Sequence, residues 1–364
     1  HCDDCGAVPV PDEDLPVELP SDATFDKPGN PLDRHPTWKH VKCPSCGKDA
    51  VRETDTMDTF VDSSWYFVRF TAPHADTPVD KTAAAYWLPV DQYIGGIEHA
   101  ILHLLYSRFI VKFLRDEGLV DFDEPFARLF TQGMITKDGA KMSKSHGNVV
   151  SPNPLIDRYG ADTVRLYTLF IGPPEKDAEW NDRAVEGAHR FVNRVWRLYS
   201  RHREYLDGSA KTEVQLYPNT YDKEHLDLYR KLQWTIDRVR RDILGGSFHF
   251  NTAISALMEL VNETYPFVEG NERFAAGEPA SIDLLRAVVD DLVKLLAPMA
   301  PHVCEEIWSR LGHERSIFTE RLPEADEAYL ASETFELVVQ VNGKVRARIA
   351  AGKGAARDEL ERIA

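Results

Sequence analysis

The chain has 364 residues and a hydrophobic fraction of 43%, so it is long enough for two or three compact domains and too apolar for a disordered protein. Its net charge of −16 argues against a protein that coats nucleic acid non-specifically, because such binding depends on Lys and Arg neutralising phosphates. The sequence shows neither an apolar run of about 18 residues nor a basic segment leading into an apolar one. We therefore expect a cytoplasmic protein that neither spans a membrane nor is secreted.

Four of the five cysteines form two closely spaced pairs near the N-terminus. The pattern Cys-x-x-Cys occurs at Cys2 and Cys5 and again at Cys43 and Cys46. Each pair can hold two thiolates on a tight turn, and four thiolates complete a tetrahedral Zn²⁺ shell without an open position. The sequence therefore predicts a structural rather than a catalytic zinc site, with disulfides or unrelated thiols as the alternative.

A strand, a helix and a second strand follow. Residues 86–95 are apolar and end at the glycine pair Gly95 and Gly96, residues 97–117 carry apolar side chains at helical spacing, and residues 127–135 form another apolar run. This order is typical of one half of a parallel α/β sheet. A glycine pair between a strand and a helix N-terminus is typical of a backbone that approaches an anionic ligand closely.

Three polar side chains occupy the start of that predicted helix. Glu98 is placed to accept hydrogen bonds from a ribose or an amine, and His99 and His103 are four residues apart and are predicted to share one helix face. Two His residues four apart on a helix also occur in zinc proteases, but those enzymes need Glu directly after the first His. This chain has Ala100 at that position, so a protease function is disfavoured. The other alternative is that both histidines are satisfied within the core.

A basic loop flanked by glycines follows the second strand. It covers residues 136–148 and contains the pentapeptide 141–145, Lys-Met-Ser-Lys-Ser, between Gly139 and Gly147. Two lysines in a mobile loop can close over a polyphosphate and neutralise the charge that develops as pyrophosphate leaves. A solvated basic loop is the alternative that applies to most short Lys-rich stretches.

The rest of the chain is predicted to be mainly helical. Amphipathic segments punctuated by Gly and Pro predict a helical bundle over about 180–325, with helices at residues 183–205, 223–244, 251–268, 282–296 and 302–311. Residues 335–350 alternate and contain Asn342-Gly343, which predicts a β-hairpin. A cluster of arginines near the start of the bundle has two interpretations. The arginines bind phosphates, or they lie on a solvated helix face, which is the usual case: Arg190, Arg194, Arg197, Arg201 and Arg203.

Several stretches resemble class I aminoacyl-tRNA synthetases, and among them the leucyl enzymes. The pentapeptide 141–145 is similar to the signature loop of that class. Residues 52–66 resemble the segment in which leucyl enzymes re-enter the catalytic core after their editing insertion. Residues 93–106 resemble the leucyl rather than the isoleucyl, valyl or methionyl enzymes. Residues 296–308 and 338–349 resemble the helical domain and the start of the small C-terminal domain.

The resemblance implies roles for individual residues. Lys141 and Lys144 would be the two catalytic lysines of the signature loop, and they would also bind ATP. The rest of the ATP site would comprise Gly95, Gly96, Glu98, Gln132, Ser143 and the backbone groups of Met134. Leucine would be bound by Glu98, His99 and His103, the last of these nearest the leucine side chain. Trp65 and Tyr66 would lie near the tRNA acceptor end, with two buried core aromatics as the equal alternative.

The implied fold is multidomain, part α/β and part all-α. We expect a zinc-binding insertion at residues 1–50, half of a Rossmann-like catalytic domain at 51–150, a connecting segment at 151–180, a helical anticodon-binding-type domain at 181–325 and part of a small α+β domain at 333–364. The other class I signature, His-Ile-Gly-His, and the editing domain are not found in these residues. The chain is therefore expected to be a fragment that is inactive alone.

The implied activity is that of a leucine–tRNA ligase. ATP with Mg²⁺ would activate leucine to leucyl-adenylate, and the leucyl group would then pass to tRNA(Leu), in a monomeric parent enzyme. The alternatives are an isoleucyl- or valyl-type enzyme and a non-catalytic tRNA-binding module. His146 stands where many relatives carry another lysine, which weakens one phosphate contact and leaves Lys141 and Lys144 unaffected.

Overall fold

The computed structural model describes residues 1–143, 146–330, 334–341 and 344–352. The chain divides into two compact units, His1–Leu129 and Phe130–Ala364. The boundary falls inside the predicted catalytic segment 51–150, because the residues of the signature loop pair with residues further along the chain. Within the described ranges, no helix is long and apolar enough to cross a membrane.

The first unit begins with a small hairpin and continues into short helices. Strands β1 (His40–Lys42) and β2 (Asp49–Val51) pair antiparallel, and strand β3 is Tyr93–Gly96. The helices are α1 (Phe60–Ser63), α2 (Tyr66–Arg69), α3 (Lys81–Trp87) and α4 (His103–Asp116). Helix α3 begins where it does because the Asp80 carboxylate accepts hydrogen bonds from the first free N–H groups. The core of the unit consists of Phe67, Val68, Val79, Ala84, Val111 and Leu114.

The predicted strand at 86–95 is shorter than expected. Residues 86 and 87 belong to the end of α3, and β3 begins only at Tyr93. Before it, Val90 pairs in parallel with Phe126, and the N–H of Tyr93 donates to the carbonyl oxygen of Arg128 at 2.9 Å. The expected parallel pairing is therefore present, but the strand that carries it is short.

The predicted helix at 97–117 is interrupted, so the prediction of one continuous helix is wrong. Ile97–Ile101 forms a 3₁₀ turn, Leu102 has φ −117° and ψ −106°, and α4 starts at His103. The two histidines at 99 and 103 lie on either side of this break instead of on successive turns of one helix. Along α4 an apolar stripe, Leu105, Phe109 and Phe113, is 57%, 69% and 51% exposed.

The second unit opens with short strands around the signature loop. Strand β4 (Leu129–Gln132) begins at the last residue of the first unit and leads to β5 (Ile135–Lys137), which pairs antiparallel with β6 (Ala140–Lys141) and parallel with β7 (Ala178–Glu179). The predicted strand at 127–135 is thus interrupted at Gly133. A Cβ atom there would lie 2.1 Å from the backbone carbonyl carbon of Lys176, so the close approach of the two segments requires glycine.

The helices of the second unit pack around one core. The helices are α5 (Pro152–Tyr159), α6 (Ala161–Phe170), α7 (Asp182–Arg201), α8 (Arg203–Leu206), α9 (Lys223–Leu244), α10 (Phe250–Gly270), α11 (Glu272–Ala275), α12 (Pro279–Leu296) and α13 (Pro301–Leu311). Helix α9 packs on α10, α10 packs on α6 and α12, and α13 packs on α6, α7 and α12. Four of the five predicted helices are confirmed with small shifts at their ends, whereas the helix predicted at 183–205 is divided at His202 into α7 and α8.

Helix α6 lies in the predicted connecting segment 151–180 and yet belongs to this core. Leu166 and Tyr167 are buried among the bundle side chains. The carboxylate of Asp162 accepts hydrogen bonds from the backbone N–H groups of His302 and Val303, at 3.2 and 2.7 Å. It thereby satisfies donors at the first turn of α13, where a negative charge is favourable. The bundle therefore begins before residue 181.

The predicted hairpin at 335–350 is confirmed. Strands β8 (Thr334–Val341) and β9 (Lys344–Gly352) pair antiparallel, with Val341 opposite Lys344 at the closed end. The predicted turn residues Asn342 and Gly343 lie outside the described residues, as do residues 353–364 of the predicted small domain.

A half-buried carboxylate on α12 predicts a pH effect on stability. Burial raises the pKa of Asp291 to about 6, with a further rise from Asp290 and an opposing effect from Lys294. Because the folded pKa exceeds the usual 3.8, stability from this group is complete below about 4 and is lost as pH rises through 6. We expect Asp291→Asn to increase the free energy of unfolding by up to about 3 kcal/mol at pH 8, and by progressively less as the pH falls towards 4.

Urea unfolding between pH 5 and pH 8 measures this difference. The neighbouring Asp290 is the matched control, since its carboxylate contacts Lys294 at 2.5 Å and His313 at 2.9 Å. Asp290→Asn should lower the stability at pH 8. A gap between wild type and Asp291→Asn that stays constant with pH would contradict the assignment.

Candidate functional site

The four paired cysteines converge in the first unit. The Sγ atoms of Cys2, Cys5, Cys43 and Cys46 all lie within 4.8 Å of one another, and those of Cys2 and Cys46 are 3.6 Å apart. Tetrahedral zinc with Zn–S bonds of about 2.3 Å places its sulfurs about 3.8 Å apart, so the donor set fits the ion in number, chemistry and size. Cys2 and Cys43 are buried, which shields the cluster from one side.

Both cysteine pairs use the same local turn. Gly6 and Gly47, each directly after the second cysteine of a pair, have φ values of +72° and +74°. Their N–H groups donate to the carbonyl oxygens of Cys2 and Cys43, at 2.9 Å in each case. The backbone N–H of Cys46 lowers the pKa of Cys43 to about 7. The pKa of Cys46 is instead raised to about 12, because the lowering effect of the Lys48 N–H is outweighed by hydrogen bonds to the other cysteines and by burial. The repeated Cys-x-x-Cys-Gly pattern was the sequence signal for these left-handed glycines.

The glycine pair and Glu98 form one local arrangement at the end of β3. The exposed Glu98 side chain folds back over Gly96, where an added Cβ would lie 2.2 Å from the carboxylate oxygen Oε2. A Cβ on Gly95 would lie 3.1 Å from the ring of Tyr93. The carboxylate is therefore held against bare backbone and remains open to solvent, as a residue that accepts hydrogen bonds from a ligand requires.

His103 is anchored within the first unit. Its Nε2 lies 2.8 Å from the carbonyl oxygen of Ser63, which can only accept, so Nε2 carries a proton and donates. Its Nδ1 then accepts from the hydroxyl of Tyr93 at 3.0 Å. The side chain is 6% exposed. Both ring nitrogens are thus used inside the protein, so only the apolar ring is available to line a pocket.

His99 differs from His103 in its hydrogen bonding. Its Nδ1 is buried and has no hydrogen-bond partner within the part of the chain that the structure describes. The two imidazole rings are perpendicular, with centroids 6.3 Å apart. A buried imidazole nitrogen without a partner is unfavourable, so it favours a ligand or water that bonds to it.

The two predicted tRNA-contacting aromatics have different surroundings. Trp65 is half-buried and packs against the core of the first unit. Tyr66 is 42% exposed, and its ring lies 5.8 Å from that of His103. The core alternative therefore fits Trp65, whereas Tyr66 is accessible.

In the second unit, the start of the signature loop is a tight β-hairpin. Thr136 pairs with Lys141, and Lys137 pairs with Ala140. The two central residues, Asp138 and Gly139, have φ values of +55° and +72°. Asp-Gly is a preferred dipeptide for such a turn, because both positions need positive φ. This signal was present in the sequence, but the segment was predicted as a mobile polar loop without a hairpin.

Asn148 fixes the far side of the loop. Its Nδ2 donates to the carbonyl oxygens of Lys137 and Lys141 at 3.1 and 3.3 Å, and its Oδ1 accepts from the N–H of Ser143 at 2.9 Å. Lys141 itself is exposed. Lys144 and Ser145 lie outside the described residues. Sequence reasoning missed Asn148, whose only signal was its place beside Gly147 at the end of the loop.

The predicted adenine-binding residues lie just before this hairpin. Gln132 is exposed at the end of β4. The N–H of Met134 donates to the carboxylate of Asp177 at 2.6 Å, and its carbonyl oxygen accepts from the N–H of Ala178 at 3.0 Å. Both backbone groups that were predicted to read adenine therefore have partners within the second unit.

Two family descriptions match separate parts of the chain. Residues 33–181 match "tRNA synthetases class I (I, L, M and V)", and residues 226–361 match "Anticodon-binding domain of tRNA ligase". Leucine–tRNA ligases of Thermotoga maritima and Syntrophobacter fumaroxidans are each 51% identical to this chain, across its full length. The chain belongs to the leucine–tRNA ligase family. It spans 43% of the length of these two relatives.

Solved structures place the chain within the same family. A leucyl-tRNA synthetase of Agrobacterium radiobacter K84, described as a ternary complex with tRNA and LeuAMS, matches 100% of the chain with a TM-score of 0.78 and 39% identity. The match covers 45% of that protein. A methionyl-tRNA synthetase of Mycobacterium tuberculosis matches 77% of the chain and 54% of its own length, with a TM-score of 0.53 and 20% identity, which shows a shared fold alone. This leucine–tRNA ligase family member therefore combines class I catalytic and anticodon-binding domains.

Proposed function

We propose that the full-length gene product activates leucine with ATP and transfers the leucyl group to tRNA(Leu). The observation that carries this proposal is the 51% identity to leucine–tRNA ligases, which extends over every part of the chain rather than over one motif. A non-catalytic tRNA-binding module is less well supported, because it would have no need of the Lys-Met-Ser-Lys-Ser loop. The 364-residue chain by itself is expected to be inactive.

The first proposed step forms leucyl-adenylate. A carboxylate oxygen of leucine attacks the α-phosphorus of ATP, the bond to the bridging oxygen of the β-phosphate breaks, and pyrophosphate leaves with that electron pair. Mg²⁺ accompanies ATP and neutralises phosphate charge. The protein mainly positions the reactants and stabilises charge in such a reaction. In the second step a ribose hydroxyl at the tRNA terminus attacks the leucyl carbonyl carbon and AMP leaves.

We assign the charge-stabilising role to Lys141 and Lys144 of the signature loop. Lys141 is exposed at the end of β6, and the hairpin that carries it is fixed on both sides by hydrogen bonds. Ser143 is assigned to phosphate binding through the same loop. Gln132 and Met134 are assigned to the adenine end. The N–H of Met134 donates to the Asp177 carboxylate in this structure, so this assignment requires that hydrogen bond to be replaced by one to adenine when ATP binds.

In the first unit we assign Glu98, with Gly95 and Gly96, to the adenylate. The carboxylate is exposed and lies over the glycine backbone. His99 and His103 are assigned to the leucine pocket. An apolar leucine side chain needs no hydrogen-bond partner, which agrees with the internally bonded ring of His103. The unpartnered Nδ1 of His99 supports a polar contact from that residue.

We also propose a zinc module and a tRNA-docking bundle. Residues 1–50 hold structural Zn²⁺ through Cys2, Cys5, Cys43 and Cys46, as their sulfur geometry supports. In the helical unit, Arg190 and Arg197 are exposed one heptad apart on α7 and are assigned to phosphates. Arg201 and Arg203 form ion pairs with Glu269 and Asp207, respectively, and Arg194 donates a hydrogen bond to the side-chain oxygen of Asn262. Tyr66 is the better supported of the two aromatic tRNA contacts.

Amino-acid-dependent exchange of pyrophosphate into ATP tests the proposed function in the full-length gene product. We expect exchange with leucine to exceed that with valine, whose side chain is one methylene smaller, by about 10²-fold in kcat/KM, since a pocket tells apart side chains that differ by a methylene to about that extent. Exchange with isoleucine or methionine should also be lower than exchange with leucine. Higher exchange with isoleucine or valine would indicate the other subtype. Binding of tRNA without exchange for any amino acid would favour the non-catalytic module.

A further inference from the structure

An acidic segment lies directly beside the signature hairpin in the second unit. Strand β7 runs parallel to β5, with Ala178 opposite Ile135 and Glu179 opposite Thr136. Asp177 directly precedes β7, and its carboxylate and that of Glu179 both accept hydrogen bonds from residues of the segment 134–139. The hairpin β5–β6 therefore has carboxylates along the edge that β7 occupies.

Glu179 contacts the hairpin at two points. Its Oε2 accepts from the Thr136 hydroxyl at 2.5 Å, and its Oε1 accepts from the N–H of Gly139 at 3.1 Å. Gly139 is the second central residue of the turn, and its N–H has no place in the ladder of a two-residue hairpin. These bonds lower the pKa of Glu179, the one from Thr136 having the larger effect. The side chain therefore stays ionised at neutral pH and ties the turn to β7.

Two more carboxylates hold neighbouring positions. Asp177 accepts from the N–H of Met134 at 2.6 Å, and Asp182 lies 3.4 Å from the ammonium group of Lys137. Glu179 is the one among these three that contacts the turn itself. The hairpin places Lys141 opposite Thr136, only two positions beyond Gly139. Because only Ala140 separates Lys141 from the turn, a displacement of the turn can be transmitted to Lys141.

We propose that Glu179 is a positioning residue, which fixes the turn at Asp138-Gly139 and so sets where Lys141 meets the phosphates of ATP. The inference rests on the proposed function. In this role Glu179 acts through the hairpin, by way of its contacts with Thr136 and Gly139, and not through contact with the substrate. Charge-assisted hydrogen bonds to backbone N–H groups are among the stronger ones in proteins, which suits a carboxylate to this task.

The test compares Glu179→Ala and Glu179→Gln with the wild-type full-length protein. Glu179→Ala removes both acceptors, and we expect the KM for ATP in leucine-dependent exchange to rise about tenfold while the KM for leucine changes less than twofold. Glu179→Gln keeps one acceptor for the Gly139 N–H and should recover most of the difference. The matched control is Glu213→Ala, which removes an exposed carboxylate elsewhere in the same unit.

A second measurement does not depend on activity. Amide hydrogen exchange at Gly139 and tryptic cleavage after Lys141 should each accelerate about tenfold in Glu179→Ala and stay at wild-type rates in Glu213→Ala. Equal rises in both KM values, or unchanged exchange at Gly139, would overturn the positioning role. Wild-type protein that lacks leucine-dependent exchange would instead refute the proposed function, and the amide measurement would still decide whether Glu179 fixes the turn.

Discussion

Replacing Lys141 with alanine is expected to reduce the rate of leucine-dependent pyrophosphate exchange by about 10²- to 10³-fold, the usual loss when one group that stabilises transition-state charge is removed. Lys141 is exposed and its backbone is pinned by Thr136 and Asn148, so the substitution should leave the fold intact. The measurement is the steady-state exchange rate of the full-length gene product. Lys141→Arg keeps the charge and should restore part of the rate.

The control for this prediction is Lys176→Ala, which removes another exposed lysine from the same unit. Its exchange rate should stay within a factor of two of wild type. Equal losses in both variants would show that total positive charge matters rather than this loop. A wild-type rate in Lys141→Ala would remove the charge-stabilising role assigned to it. Lys144, outside the described residues, is expected to behave as Lys141 does.

Removing zinc is expected to unfold the N-terminal segment 1–51 and to leave the helices of the second unit unchanged. The segment 1–51 has two short strands and few buried apolar residues, so its stability depends on the cluster. Binding of structural zinc is worth about 10–16 kcal/mol in zinc-finger peptides, well above the stability of such a segment without metal. We expect one zinc per chain by elemental analysis, and loss of amide protection at 1–51 after chelation.

Single substitutions make the same comparison without a chelator. Cys43→Ser should lower the zinc content to well below one per chain and expose residues 1–51 to exchange. Cys304→Ala is the matched control, because Cys304 is the fifth cysteine and is buried in the bundle core. It should keep one zinc, whatever its effect on bundle stability. Full protection of the module in a metal-free protein would exclude the structural role.

The bundle was predictable from sequence, since each helix buries one face and shows the corresponding period. Residues 223–244 were predicted as a helix from their amphipathic period and the glycine pair that follows, and these are the bounds of α9. The structure adds that the Asp222 side chain caps its N-terminus. The hairpin of β8 and β9 was predictable from strand alternation and Asn-Gly. These signals are local, so no knowledge of distant contacts was needed.

The surroundings of the signature loop were not predictable in the same way. Glu179 lies 40 residues from Gly139, and the parallel pairing that joins them has no local signal. Likewise, the apolar period of 97–117 continues across the break at Leu102, so periodicity alone predicted one helix. The close approach of Gly133 to Lys176 could not be predicted either, because a lone glycine in a strand pattern has several explanations.

The break at Leu102 separates two histidines that a single helix would have coupled. His103 is fixed by Ser63 and Tyr93, so a change there disturbs three segments of the first unit together. His99 precedes the break, and its Nδ1 bonds to nothing in the described chain. Substitution at 99 therefore loses no internal hydrogen bond at that atom. Under the proposed assignment of His99 to the leucine pocket, the pocket can change at this position while the neighbouring scaffold stays the same. We therefore expect substitutions at 99 to alter amino-acid selectivity more readily than substitutions at 103.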